Sequence, residues 1–180
     1  MIITISGFPG AGKSSVGKML AQRLGMNFYS MGGLVRKMAA EQGMTVDEFY
    51  ALGDSGPTQD EHIDAYQKEL ASKEDQFVME GRISWHFIPQ SFKILLICSP
   101  DEAARRVFTT HKDERLKERA YASLEETKKA LSDRVATEVD HYQRYYGIDY
   151  RDQKQYDLVI DTTKNSGPEE TVEQIMKHIT

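Results

Sequence analysis

A parallel α/β fold is predicted by three observations. Short apolar runs alternate with helix-like stretches from one end of the chain to the other, no repeat or Pro/Gly-rich linker interrupts that rhythm, and a glycine-rich turn joins the first apolar run to the first helical pattern. With 180 residues, 39% hydrophobic and 28% charged, the chain is sized for a single packed core spanning residues 1–180. Disordered, collagen-like and disulfide-scaffold classes are excluded by that composition.

The elements follow in order. The first strand is expected over Ile2–Ser6, and the helix after the glycine turn over Lys13–Leu24, where Val16, Met19, Leu20 and Leu24 recur at helical spacing. A second strand is expected over Asn27–Tyr29, and helices over Leu34–Gln42 and Thr58–Ser72. Between those helices, Thr45-Val-Asp-Glu48 reads as a capping box, the hydroxyl and carboxylate each satisfying a free backbone amide of a helix start. Further strands are expected over Gln76–Glu80, Lys93–Cys98 and Asp157–Asp161. A second capping box, Ser123-Leu-Glu-Glu126, opens a long helix expected to reach Tyr146 before Gly147. His111 to Tyr121 breaks the rhythm: it is nearly all charged and has no apolar face, so it reads as a solvated loop, and its position suits a lid.

Lys and Arg number 23 against 28 Asp and Glu, a net charge of −5, which argues against duplex nucleic acid or an anionic membrane as the main partner. An anionic ligand must then meet a local basic cluster. The only cysteine, Cys98, lies in an apolar run and reads as a small core side chain in a reducing compartment. Apolar runs fall far short of the roughly 20 residues that span a bilayer, and no cationic-then-apolar leader opens the chain, so a cytoplasmic location is expected. The five histidines have no metal-ligand spacing, and Trp85 and Phe87 read as core.

Gly7-Phe8-Pro9-Gly10-Ala11-Gly12-Lys13-Ser14, followed by Ser15, is the strongest signal. It matches Gly-x4-Gly-Lys-Ser/Thr between a strand and a helix. Glycines let successive N–H groups turn inward, and the helix start adds roughly half a positive charge, so the segment makes a cradle for a polyphosphate. Lys13 is expected to neutralise β- and γ-phosphate oxygens, and Ser14 to offer its hydroxyl to Mg²⁺. A nucleoside triphosphate is the expected ligand.

Its use must be read from the other residues. The Asn-Lys-x-Asp of a guanine-nucleotide switch is missing: the last strand leads into Asp161-Thr-Thr-Lys-Asn165. A motor needs a strand ending in paired acids, whereas Met79-Glu80-Gly81-Arg82 puts a cation there. In parallel sheets ligands bind beyond the C-terminal strand ends, where Lys13, Arg36 and Arg82 are expected to converge. Three cations facing one crevice suit two phosphorylated substrates, hence a small-substrate kinase.

Here the sequence resembles a family. Ser30-Met-Gly-Gly-Leu-Val-Arg36 resembles the monophosphate-binding start of nucleoside monophosphate kinases, and Glu80-Gly81-Arg82 their second anchor. Asp60-Glu-His-Ile-Asp64-Ala-Tyr-Gln67, Arg134 with Arg144-Tyr145, Tyr146-Gly-Ile-Asp149 and Tyr156-Asp-Leu-Val-Ile160 are similar to archaeal-type cytidylate kinases, and the resemblance covers nearly the whole chain. It implies a P-loop NTPase three-layer fold on a five-stranded parallel sheet, with a monophosphate-binding region at 30–73 and a lid at 105–121. The activity implied is phosphorylation of CMP or dCMP by ATP with Mg²⁺; a monomer without nucleic-acid or membrane partners is expected beside it.

Arginine suits an acceptor phosphate because its planar fork binds two oxygens, so Arg36, Arg82 and the adjacent Gly81 are assigned to the monophosphate. Asp60, Asp64 and Gln67 are candidates for reading the base; exposed acids on an amphipathic helix are the competing reading. Arg106, with the loop from Thr162 to Asn165, is implied to pack on the donor adenine. Between Arg105 and Arg119 six Lys/Arg stand against three acids, so positive charge collects where a transferring phosphoryl group would be covered. By resemblance Arg119 and Arg134 match the catalytic lid arginines. His111–Lys117 reads as an insertion that makes Arg115 a competitor, and Arg144 lies about three turns along the helix from Arg134. Adenylate or another small-molecule kinase, and a nucleotide-binding regulatory or RNA-associated ATPase using the tyrosines near residue 145, stay open as alternatives.

Overall fold

The computed structural model describes residues 1–44, 58–110 and 121–179, without the side chains of Thr58 and Gln59. In chain order the elements are β1 (Ile2–Gly7), α1 (Lys13–Leu24), β2 (Asn27–Ser30), α2 (Met31–Glu41), α3 (Thr58–Lys73), β3 (Phe77–Glu80), the single turn α4 (Ser84–Phe87) and β4 (Phe92–Ile97). Then come α5 (Pro100–Thr110), α6 (Leu124–Tyr146), a 3₁₀ turn (Gln153–Gln155), β5 (Leu158–Asp161) and α7 (Pro168–Ile179). The strands form a five-stranded sheet in the order β2-β3-β1-β4-β5, and the pairs β1–β3, β2–β3 and β4–β5 run parallel. This is the predicted α/β class, and every strand end lies within one residue of its expected place. All six residues of β1 and all four of β3 are buried, as in parallel strands covered on both faces, and the polar Thr4, Ser6 and Glu80 are buried with the apolar ones.

Packing divides the chain into two compact units, Met1–Ser6 with Gly17–Lys93, and Gly7–Val16 with Ile94–Thr180. In the first, β3 lies between β1 and β2, with Glu80 level with Ile5 on one side and Ser30 on the other. Val35 and Ala39 of α2 pack with Met38 and with Ile63 of α3, which holds those two helices together. In the second, β4 and β5 pair from Ile94–Leu158 to Ile97–Asp161, α5 buries Ala103 and Ala104, and α5 packs on α6.

Hydroxyl caps set where α2 and α6 begin. α2 starts at Met31 rather than Leu34 because the Ser30 hydroxyl accepts the Gly33 N–H at 2.9 Å. The Ser123 hydroxyl accepts the Glu126 N–H at 3.1 Å, while the Glu126 carboxylate accepts the N–H of Ala122 at 2.6 Å, one residue before the usual partner. α6 then runs to Tyr146 and ends on left-handed Gly147, as expected.

Three helices were not anticipated, the single turn α4 among them. α5 and α7 both open with proline followed by two acids, a start signal that the short sequence runs did not make conspicuous. Residues 105–110, expected to begin the lid, are the last turns of α5. The rest of that segment, 111–120, and the Thr45–Glu48 capping box lie outside the described residues. Among the described residues, no helix is long and apolar enough to cross a membrane.

Candidate active site

The phosphate-binding sequence occupies the turn from β1 into α1. Its backbone is closed by hydrogen bonds from Phe8 N to Leu96 O at 3.2 Å, Ala11 N to Phe8 O at 3.2 Å and Val16 N to Gly12 O at 2.9 Å. Lys13 folds its ammonium back over the turn, Nζ donating to Phe8 O at 3.0 Å. Gly7 and Gly10 have φ of +151° and +76°, conformations that L side chains rarely adopt. A Cβ at Gly7 would lie 2.2 Å from Leu96 O, and one at Gly10 would lie 2.8 Å from Ala103 Cβ, so the loop is pressed against β4 and α5 with no room for a side chain. Pro9 and Ala11 are buried, the Phe8 ring meets Tyr150 edge-on, and Ser14 and Ser15 are exposed in the first turn of α1.

Arg106 of α5 lies beside this loop. Its Nε donates to Glu102 at 2.8 Å, Nη1 reaches Gly10 O at 3.5 Å, and Nη2 donates to Thr162 O at 2.6 Å. Arg105 also donates twice to Glu102, each bond 2.7 Å. Those hydrogen bonds, Arg105's first, hold the Glu102 carboxyl down at about 2.

The residues expected to meet the monophosphate and its base lie in the first unit, Arg36 and Arg82 close after the ends of β2 and β3 and Asp60, Asp64 and Gln67 on α3. The hydroxyl of Ser30 bonds to buried Glu80 while capping α2. Arg36, exposed one turn into α2, carries its guanidinium back toward the helix start, with Nη1 3.5 Å from where a Gly32 Cβ would stand. Gly81 N donates to Ile5 O at 3.1 Å, and Ser6 Oγ reaches both Gly81 O at 3.0 Å and Arg82 O at 2.6 Å. These bonds fix the backbone that carries Arg82. Ser6 was invisible as a site residue in the sequence, where it reads only as the end of a strand.

Asp60, Asp64 and Gln67 follow at helical spacing on α3, the two acids half-buried and Gln67 3% exposed. Gln67 Oε1 and Ser84 Oγ are buried and have no hydrogen-bond partner among the described residues. Ser84 was also missed by sequence reading, since no motif includes it.

Arg134 is exposed on α6, its Nε 2.9 Å from Glu138, and Arg144 pairs with Asp140 on the same helix. Arg115 and Arg119 lie outside the described residues. Trp85 and Phe87 are core, as expected. Burial pushes the half-buried Cys98 thiol up from its ordinary value. Tyr150 is fully buried and so unavailable as a stacking platform for nucleic acid. Among the described residues no group of three or more His, Cys, Asp or Glu is placed to hold a metal ion.

The sequence model of the cytidylate kinase-like family matches residues 2–164 of this chain. A cytidylate kinase of Methanocella arvoryzae is 40% identical over 164 residues, which is 91% of this chain and 89% of that protein. One from Archaeoglobus fulgidus is 35% identical over 183 residues, 99% of this chain and 94% of that protein. Among solved structures, a shikimate kinase of Bacteroides thetaiotaomicron superposes with a TM-score of 0.67 at 18% identity, covering 99% of this chain and 98% of that one. That likeness speaks for the fold.

Proposed function

The chain belongs to the cytidylate kinase-like family, and from that premise we propose that it transfers the γ-phosphoryl group of ATP to CMP or dCMP, yielding ADP and CDP or dCDP. The observation that carries this reading within the molecule is the closed glycine loop with Lys13 lying over it on the Phe8 carbonyl.

A phosphate oxygen of the acceptor attacks the γ-phosphorus, the bond to the β,γ-bridging oxygen breaks, and ADP leaves with that electron pair. The protein's task is positioning two anions in line and neutralising charge. Loop N–H groups and Lys13 hold the donor phosphates. Arg36 and Arg82 take the acceptor phosphate, and the hydrogen bonds that fix the Gly81 and Arg82 carbonyls support that role. Arg106 presents the face of its guanidinium to the donor adenine, because its edge is spent on Glu102, Gly10 and Thr162. Asp60, Asp64 and Gln67 read the base. The buried, unpartnered oxygen of Gln67 suits the exocyclic amino group of cytosine, which uracil lacks. Arg134 and Arg119 stabilise the transferring phosphoryl group. Mg²⁺ suits the one hard oxygen this chain offers there: the exposed Ser14 hydroxyl would help to hold the ion, which would supply positive charge to the donor phosphates. The enzyme acts as a cytoplasmic monomer without nucleic-acid or membrane partners.

The test is ADP release measured with each nucleoside monophosphate in turn against a control lacking acceptor. CMP and dCMP should stimulate release most. AMP as the best acceptor would make the protein an adenylate kinase, and release indifferent to every acceptor would defeat the kinase reading. In the same assay Gln67→Ala should raise KM for CMP about tenfold and narrow the CMP-over-UMP preference.

A further inference from the structure

The phosphate loop is held from outside by a side chain that its motif does not contain. Thr162, the first residue after β5, is 2% exposed. Its N–H donates to Ile97 O at 2.9 Å and its carbonyl accepts Arg106 Nη2 at 2.6 Å. Its hydroxyl accepts Arg106 Nη1 at 3.1 Å, and the single hydroxyl proton is shared between Ala11 O at 3.2 Å and Ile97 O at 3.1 Å. Arg106 is in turn fixed by Glu102 at 2.8 Å. A chain of hydrogen bonds thus runs from Glu102 through Arg106 and Thr162 to the backbone of the loop.

The consequence follows from the planarity of the peptide group. In a trans peptide the carbonyl and the next N–H point in opposite directions, so holding Ala11 C=O toward Thr162 aims the N–H of Gly12 the other way. The Ala11 N–H is already used by Phe8 O, which leaves Gly12 as the first loop amide after it whose direction this contact controls. We propose that Thr162 is a positioning residue for the donor triphosphate: its hydroxyl sets the Ala11–Gly12 peptide plane so that the Gly12 N–H faces the phosphates, and Arg106 locks that hydroxyl in place. This rests on the reading of the loop as the donor site. It also separates two roles of Arg106, whose edge serves the loop while its face is left for the base.

Binding of MgATP and of magnesium tripolyphosphate, which has the phosphates and no base, tests this in the full chain by titration calorimetry. Thr162→Val keeps the shape and removes the hydroxyl. It should weaken both ligands about tenfold, the expected effect of leaving buried polar groups unpaired, while CMP affinity stays within about twofold of the wild type. Thr162→Ser should restore both affinities. Arg106→Gln should weaken tripolyphosphate as well as ATP, and it carries the test if the valine variant does not fold. Tripolyphosphate affinity unaltered in Thr162→Val and in Arg106→Gln overturns the proposal, as does a serine variant as weak as the valine one. A wild-type protein that binds neither ligand would overturn the donor-site reading itself, a separate result.

Discussion

Lys13 and Arg36 are both cations proposed to meet phosphate, yet their chemistry makes different demands on substitution. Lys13 acts as a point charge over the loop, donating to the Phe8 carbonyl at 3.0 Å, so Lys13→Ala should leave the unfolding midpoint near that of the wild type and lower kcat by on the order of 10²–10³. Near-normal turnover in the folded variant would remove Lys13 from the mechanism. Arg36→Lys keeps the charge and loses the two-point fork, so KM for CMP should rise while ATP affinity barely changes. Equal losses for both substrates would place Arg36 elsewhere. Gly81 is constrained by shape: a Cβ there would stand 2.2 Å from Ser84 Oγ and 3.1 Å from Met31 Cγ. The requirement for glycine next to Arg82 is therefore set by neighbours from α2 and α4.

Helix ends decide where the functional side chains stand. The Ser30 cap starts α2 early and so puts Arg36 within two turns of the strand end. The Ser123 cap starts α6, and Ser123→Ala should destabilise the protein by about 1 kcal/mol, read as a lower urea midpoint. An unchanged midpoint would mean that α6 is held by its packing on α5 alone. α5 carries an acid-sensitive joint. Glu102 is held from its ordinary 4.5 down to about 2 by Arg105 and Arg106, so its charged form favours the fold. The contribution is complete above the unfolded value and is lost as pH falls from about 4.5 toward 2. Glu102→Gln should accordingly flatten the loss of stability over that interval, measured as urea midpoints at successive pH values. An unaltered slope would show that other carboxylates govern acid unfolding.

Across the molecule, the arginines proposed for the transferring phosphoryl group and their competitor Arg115 all fall between residues 115 and 134, so position alone does not rank them and kinetics must sort them. Arg134 is exposed and pairs with Glu138 at 2.9 Å, so it is available to exchange that partner for a phosphoryl group. Arg134→Ala should lower kcat on the order of 10²-fold and leave KM for CMP little changed, the signature of a charge that acts on the transition state. Compared with Arg119→Ala and Arg115→Ala, the variant whose loss is confined to turnover identifies the catalytic arginine. A normal rate in Arg134→Ala would assign that residue to the helix surface.

The amino-acid sequence by itself determined the α/β class, all five strands, the phosphate loop and the long capped helix, because each is written locally: in apolar runs, in glycines at defined offsets, in a hydroxyl and a carboxylate three residues apart. It also carried the family, through motifs whose order and spacing survive along the chain. The tertiary structure alone decided which ordinary residues serve those motifs. Ser6 holds the Arg82 backbone from the end of another strand, Ser84 crowds Gly81, Gln67 is buried with its oxygen unpartnered, and Thr162 reaches the loop from 151 residues away. No local pattern can announce such residues, since a hydroxyl acquires its role only when folding brings a distant carbonyl within hydrogen-bond range and removes the water that would otherwise satisfy both.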